Sequence, residues 1–205
     1  MTASIILLCL LWLIWCFLHS LLISHWWLDR LRRLTGRYFS LYRIGYVLFS
    51  TLSLIPLLVF QYSLPYRTLF SWQGPWKIIQ LLLLGYACVL FFWGKTSYDM
   101  DHFLGISGWR SFRRGEKPRS LPFRENGILA YLRHPWYSAG IAIVWGMGSV
   151  TTVTLPVKLL LTGYFLAGTL LEEKKLIKEI GEPYRRYRDR VPMLFPWKKP
   201  RKAGQ

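Results

Sequence analysis

The sequence predicts an all-α protein, an integral membrane helical bundle of about five transmembrane helices followed by a cytoplasmic C-terminal amphipathic helix. Three observations predict it. Hydrophobic residues fill 53% of 205 positions and charged residues only 18%, a more apolar balance than soluble domains of this length carry. The apolar residues gather into runs of about 17 or more, enough to cross a hydrocarbon core roughly 30 Å thick. Lys and Arg alternate between the runs, with 5 in the first loop, 2 around the second, 8 from Lys95 to Arg133, 1 at Lys158 and 11 after Leu171. By the positive-inside rule this places the N-terminus outside and the first loop, third loop and C-terminus in the cytoplasm.

The first expected span is 3–27. Its basic flank, Arg30, Arg32 and Arg33, follows the apolar core instead of preceding it, so it reads as a retained span and not a secretory signal. The second and third spans are 42–62 and 76–93, each bounded by interfacial aromatics, with Pro56 tolerated because neighbouring helices satisfy the carbonyl it frees. Residues 136–153 and 155–171 read as a tight helical hairpin. Its small residues, among them Ala139, Gly140, Gly146, Gly163 and Gly168, let helices approach closely in lipid. The stretch 107–126 is expected as a long polar connection. Beyond Leu171, the residues Leu176, Ile180, Tyr184, Tyr187 and Val191 recur at helical spacing, broken near Gly181 and Pro183, and predict an amphipathic helix over the cytoplasmic face. The expected organisation is one structural domain with a three-span region, 1–94, and a C-terminal region carrying the chemistry, 95–205.

A formal charge of +17 is consistent with nucleic-acid binding, but basic residues between apolar spans report orientation instead, and no nucleic acid is expected as partner. Cys9, Cys16 and Cys88 lie in apolar runs as small hydrophobes. His19, His25, His102 and His134 form no closely spaced metal motif, and no metal site is expected. Asp99, Asp101 and His102 either solvate a loop or enter the site from the end of the third span.

Two segments concentrate the candidate chemistry. In Arg133-His134-Pro135-Trp136-Tyr137, proline disfavours the helical region at His134 and suits the first turn of the following helix. That turn offers N–H groups to an anion, Arg133 adds a bidentate clamp for a carboxylate, and the rings offer stacking surfaces. An interfacial Arg within an aromatic belt explains the same residues. Glu172-Glu173 stands at the cytoplasmic end of the last span. It is either a site for a positively charged or N–H-bearing ligand, or a solvated turn pairing with Lys174, Lys175 or Lys178.

Together, Gly127-Ile-Leu-Ala-Tyr-Leu-Arg-His-Pro-Trp-Tyr137 and Glu172-Glu-Lys-Lys-Leu, followed by Gly181, Tyr184, Tyr187 and Val191-Pro192, resemble the isoprenylcysteine carboxyl methyltransferase and phospholipid methyltransferase superfamily over about residues 95–196. Phe17-Leu-His-Ser-Leu-Leu22 and Phe103-Leu-Gly105 look more like its bacterial branch of NnrU-type and methanethiol S-methyltransferase proteins, which implies a bacterial inner membrane. The resemblance implies an S-adenosylmethionine-dependent methyltransferase acting on a small or lipophilic acceptor, thiol sulfur favoured over a prenylcysteine carboxylate or a lipid. It implies that Leu129, His134, Pro135, Trp136, Tyr137 and Glu172 hold the cofactor, with residues 121–124 contributing and Arg133 and Glu173 as the catalytic pair. Gly168 stands where the eukaryotic prenylcysteine enzymes carry a substrate-binding Arg, four residues before Glu172. Ala139, followed by Gly140, stands where the superfamily usually has glycine. The alternatives are an NADPH-dependent reductase related to sterol reductases and a non-catalytic NnrU-like protein.

Overall fold

The computed structural model describes residues 2–116 and 123–198. In chain order these form α1 (Thr2–Leu22), α2 (His25–Thr35), a 3₁₀ turn (Gly36–Leu41), α3 (Tyr42–Ser63), β1 (Thr68–Phe70), α4 (Trp76–Ser97), α5 (Met100–Phe103) and α6 (Ile106–Arg114). A second 3₁₀ turn (Gly127–Ala130), α7 (Pro135–Gly146), β2 (Val150–Thr151), α8 (Thr154–Ile180) and α9 (Glu182–Arg190) complete them. Four stretches among the described residues are long and apolar enough to cross a membrane, Thr2–Leu22, His25–Ser63, Trp76–Ser97 and Thr154–Ile180. The protein is an all-α integral membrane protein. Where a long polar connection is expected at 107–126, the chain instead forms α6 through Arg114, because Ile106, Trp109 and Phe112 recur at helical spacing.

The helices fall into two compact units, α1, α2, α3, α5 and α6 in one, and α4, α7, α8 and α9 with both strands in the other. In the first unit, α1 and α3 are joined by a ladder of side-chain hydrogen bonds. Trp12 Nε1 donates to Gln61 at 2.9 Å, Trp15 Nε1 to Ser53 at 3.0 Å, and His19 bonds Ser50 at 3.2 Å and Tyr46 at 2.9 Å. Lipid offers helices no hydrophobic reason to associate, so such bonds and close packing set which faces meet. His19 is thus part of the helix seam.

In the second unit, α4 packs along α7 around Ala87, Leu90, Leu132, Ala139 and Ala142. The segment expected as the fourth span, 136–153, is a 12-residue helix followed by a turn and a short strand. At 1.5 Å per residue α7 covers only about 18 Å. Its final carbonyls are taken by side chains. Gln80 Nε2 donates to Gly146 at 2.8 Å, Lys158 Nζ to Met147 at 2.9 Å and to Val144, and Trp72 Nε1 to Gly148 at 3.0 Å. Beyond them β2 pairs antiparallel with β1. A helix end in low dielectric requires such donors. Replacing Lys158 with methionine is expected to strip two carbonyls and lower stability by roughly 1–3 kcal/mol. Thermal unfolding in detergent tests this, and an unchanged midpoint contradicts it.

The turn into α8 is closed reciprocally, Thr151 N donating to Thr154 Oγ1 at 2.8 Å and Thr154 N to Thr151 Oγ1 at 3.0 Å. Gly181, with φ +75°, separates α8 from α9. Tyr184, Tyr187 and Val191 then pack with Leu176 and Ile177.

Candidate functional site

Pro135 opens α7 without a side-chain cap, and His134 takes the non-helical conformation that proline imposes on its predecessor. The preceding backbone is locked to the segment after α9, with Arg133 N donating to Pro192 O at 3.0 Å and His134 N to Met193 O at 3.1 Å. Two sequence-distant segments are thereby held side by side, next to Glu173 of α8.

The two adjacent glutamates have opposite surroundings. The Glu173 side chain is buried and receives four bonds: Arg133 Nε at 2.9 Å, Arg133 Nη2 at 3.0 Å, the His134 imidazole Nε2 at 2.7 Å and the Tyr184 hydroxyl at 2.6 Å. Arg133 Nη1 donates onward to Arg188 O at 2.8 Å and to Val191 O. The Tyr187 hydroxyl donates to Leu129 O at 2.6 Å. Burial, and then the hydrogen bond and negative charge of Glu173, raise the Tyr184 phenol above its ordinary pKa, so it remains a donor. Arg133 and Glu173 therefore engage each other and their neighbours in a closed network.

The Glu172 side chain retains 40% exposure. Its carboxylate lies 3.7 Å from His134 Nδ1, and its charge acts on the neighbouring Tyr137 phenol. His134 thus stands between the two acids, one ring nitrogen on Glu173 and the other towards Glu172. Trp136 packs on Tyr98 at 4.5 Å and on Phe91 at 6.2 Å between ring centroids. Burial first, and the charge of Glu172 second, push the Tyr98 phenol up. Glycines make these approaches possible. A Cβ on Gly94 would overlap the Trp136 indole, and one on Gly168 would stand 3.1 Å from the Tyr137 ring. Tyr137 fills the space over the position where the resemblance pointed to a missing Arg.

Of the expected site residues, the structure brings Arg133, His134, Trp136, Tyr137, Glu172 and Glu173 together. Pro135 is fully buried beneath them, and Leu129 contributes its carbonyl while its side chain joins the apolar core. Phe123 packs on Tyr184 and Tyr187, Leu121 and Pro122 lie outside the described residues, and no bond made by Arg124 bears on the site. Asp99 accepts from His102 N at 2.8 Å and Asp101 pairs with Arg110, all within the first unit. Sequence reasoning missed Tyr98, which no local motif marks, and the donor role of Tyr184, although its place in the tail motif was visible.

No family model and no solved structure matches the chain. Among curated proteins, it is 30% identical over 160 residues to methanethiol S-methyltransferase 1 of Bradyrhizobium diazoefficiens, covering 77% of this chain and 55% of that protein. It is 31% identical over 163 residues to methanethiol S-methyltransferase of Pseudomonas sp. strain GM41(2012), covering 77% and 60%. The corresponding protein of Mycobacterium tuberculosis is 28% identical over 163 residues, covering 77% and 65%. The chain thus spans between about half and two thirds of these relatives' length.

Proposed function

The chain is homologous to the methanethiol S-methyltransferases over three quarters of its length, and from that premise we propose that it is a membrane S-adenosylmethionine-dependent methyltransferase acting on a small thiol. The observation that carries this reading is the divergence of the two glutamates. One is saturated within the protein, while the other keeps an open carboxylate beside aromatic rings and the uncapped start of α7.

The donor set fits the methyl donor. Glu172 suits its ammonium group, the first turn of α7 its carboxylate, and the rings of Tyr98, Trp136 and Tyr137 its base. Bound there, S-adenosylmethionine supplies an electrophilic methyl group on a sulfonium. The protein's own part is alignment and exclusion of water, which suffices for an in-line displacement without a covalent intermediate. Arg133 and Glu173, expected as the catalytic pair, serve in this reading as positioning residues that fix His134 and the start of α7.

In this reading the site lies at the cytoplasmic edge, with the N-terminus outside. Trp136 sits against Gly94, near the end of α4, and Gly146 against Gln80, near its beginning. α7 thus runs antiparallel to α4 along most of its length, and in this reading, with the turn and short strand after it, it adds a crossing to the four long helices, fourth in chain order. α9 covers the cytoplasmic end.

Calorimetry of the purified protein is expected to show binding of S-adenosylmethionine and S-adenosylhomocysteine but not NADPH. Absence of binding by either sulfur nucleoside sinks the proposal. Label transfer from S-methyl-tritiated donor to methanethiol, longer thiols, prenylcysteine analogues and lipid extracts then ranks acceptors.

A further inference from the structure

Two residues, Ile23 and Ser24, separate the end of α1 from α2, and α3 begins directly after the first 3₁₀ turn. Because α1 and α3 are long and apolar enough to cross the membrane, α2 is confined to the level of the lipid headgroups. It is a polar helix with no buried residue, and Ser24 accepts from Trp27 N to start it. α6 closes on the 3₁₀ turn within the same unit. Gly108 permits this, since a Cβ there would run into the Ser40 carbonyl, and the Tyr38 and Phe112 rings stand 5.5 Å apart.

These three segments carry seven arginines and a single acid, Asp29. Arg110 is paired with Asp101. Others are held over rings: Arg37 lies 4.7 Å from the Phe112 centroid, Arg32 lies 4.8 Å from Phe39, and Arg113 lies 5.1 Å from Trp109. Ring contacts orient a guanidinium and leave its charge in place, so its N–H fork stays available to an oxyanion. Large apolar side chains are exposed among them, Leu34 at 75%, Trp26 at 64% and Trp109 at 42%. Neither methyl transfer nor the Glu172 site uses any of these groups.

We propose that α2, the 3₁₀ turn and α6 form a platform for anionic phospholipid headgroups, with Arg30, Arg33, Arg37 and Arg113 taking phosphates and Trp26 and Trp109 entering the acyl boundary. The occupant follows from the placement. Guanidinium and phosphate match in charge and in bidentate geometry. The covalent link to two spans brings the platform to headgroup depth, where exposed apolar rings beside cations are the side chains an interfacial surface needs.

The test titrates fluorescent phosphatidylglycerol and phosphatidylcholine into the full-length protein in a non-ionic detergent at low and high salt. Phosphatidylglycerol is expected to bind at least about tenfold tighter, with a preference that falls as salt rises. The quadruple variant R30Q/R33Q/R37Q/R113Q should shrink the preference to within about twofold while S-adenosylmethionine still binds. The corresponding four-lysine variant should keep most of it, because charge is retained. Equal binding of the two lipids, a preference insensitive to salt, or a glutamine variant with undiminished preference overturns the proposal. Displacement of the lipid by millimolar inorganic phosphate also overturns it, in favour of a free-anion site. If the glutamine variant does not fold, the wild-type salt dependence and the phosphate competition decide.

Discussion

Arg133→Ala is expected to destabilise the protein by about 3–5 kcal/mol, because it leaves the Glu173 carboxylate buried without its cationic partner. Glu173 would keep bonds from His134 and Tyr184 but lose both prongs of the guanidinium fork. The loss extends further, since Arg133 also holds the carbonyls of Arg188 and Val191, which tie the end of α9 to the start of α7. Glu173→Leu alone should be comparably harmful for the opposite reason, a buried guanidinium left without its carboxylate. The double variant R133M/E173L removes both charges and should recover a substantial part of the loss. Unfolding in detergent for the full cycle measures the coupling. Single variants that melt like wild type would show that the buried pair holds nothing together.

Glu172→Ala should do the reverse, weakening S-adenosylmethionine binding by roughly ten- to a hundredfold, the worth of a charge-assisted contact of about 1.5–3 kcal/mol. Its effect on stability should be small, because the side chain is 40% exposed and its nearest charged partner, the His134 imidazole, stands 3.7 Å away. Calorimetry and melting on the same preparation separate the two quantities. A variant that binds normally would remove Glu172 from the site, whereas one that fails to melt cooperatively would make it a structural residue. Adjacent acids of identical chemistry thus yield opposite expected phenotypes, one in stability and the other in binding.

Much of the fold was legible because hydropathy is a local, additive property. The runs at 42–62 and 76–93 appear as helices with nearly the expected limits, whereas the one expected at 3–27 ends at Leu22 and the one expected at 155–171 continues as helix to Ile180. Two elements were not legible for definite reasons. The segment 136–153 has the composition of a span, but Gly146 and Gly148 lie close together near its end, and the chain leaves the helix once Gln80, Lys158 and Trp72 can take its carbonyls. No local window contains those three donors. The region after Ser107 reads as polar because its arginines dominate the average, although its apolar residues still fall on one helical face.

The candidate site divides in the same way. Sequence by itself determined which residues are capable of the chemistry, since Arg133-His134-Pro135 must begin a helix after a non-helical residue, and Glu172-Glu173 must end a span near basic side chains. Only the tertiary structure decided how those residues are shared out. Helical geometry sets neighbouring side chains about 100° apart, so Glu173 turns into the closed network with Arg133, His134 and Tyr184, while Glu172 turns to Tyr137 and the open side. It also brought in Tyr98, which packs on Trp136 and feels the charge of Glu172. The physical reason is that residue type fixes which bonds a side chain can make, while the partner that takes up each bond is chosen by contacts between segments some forty residues apart.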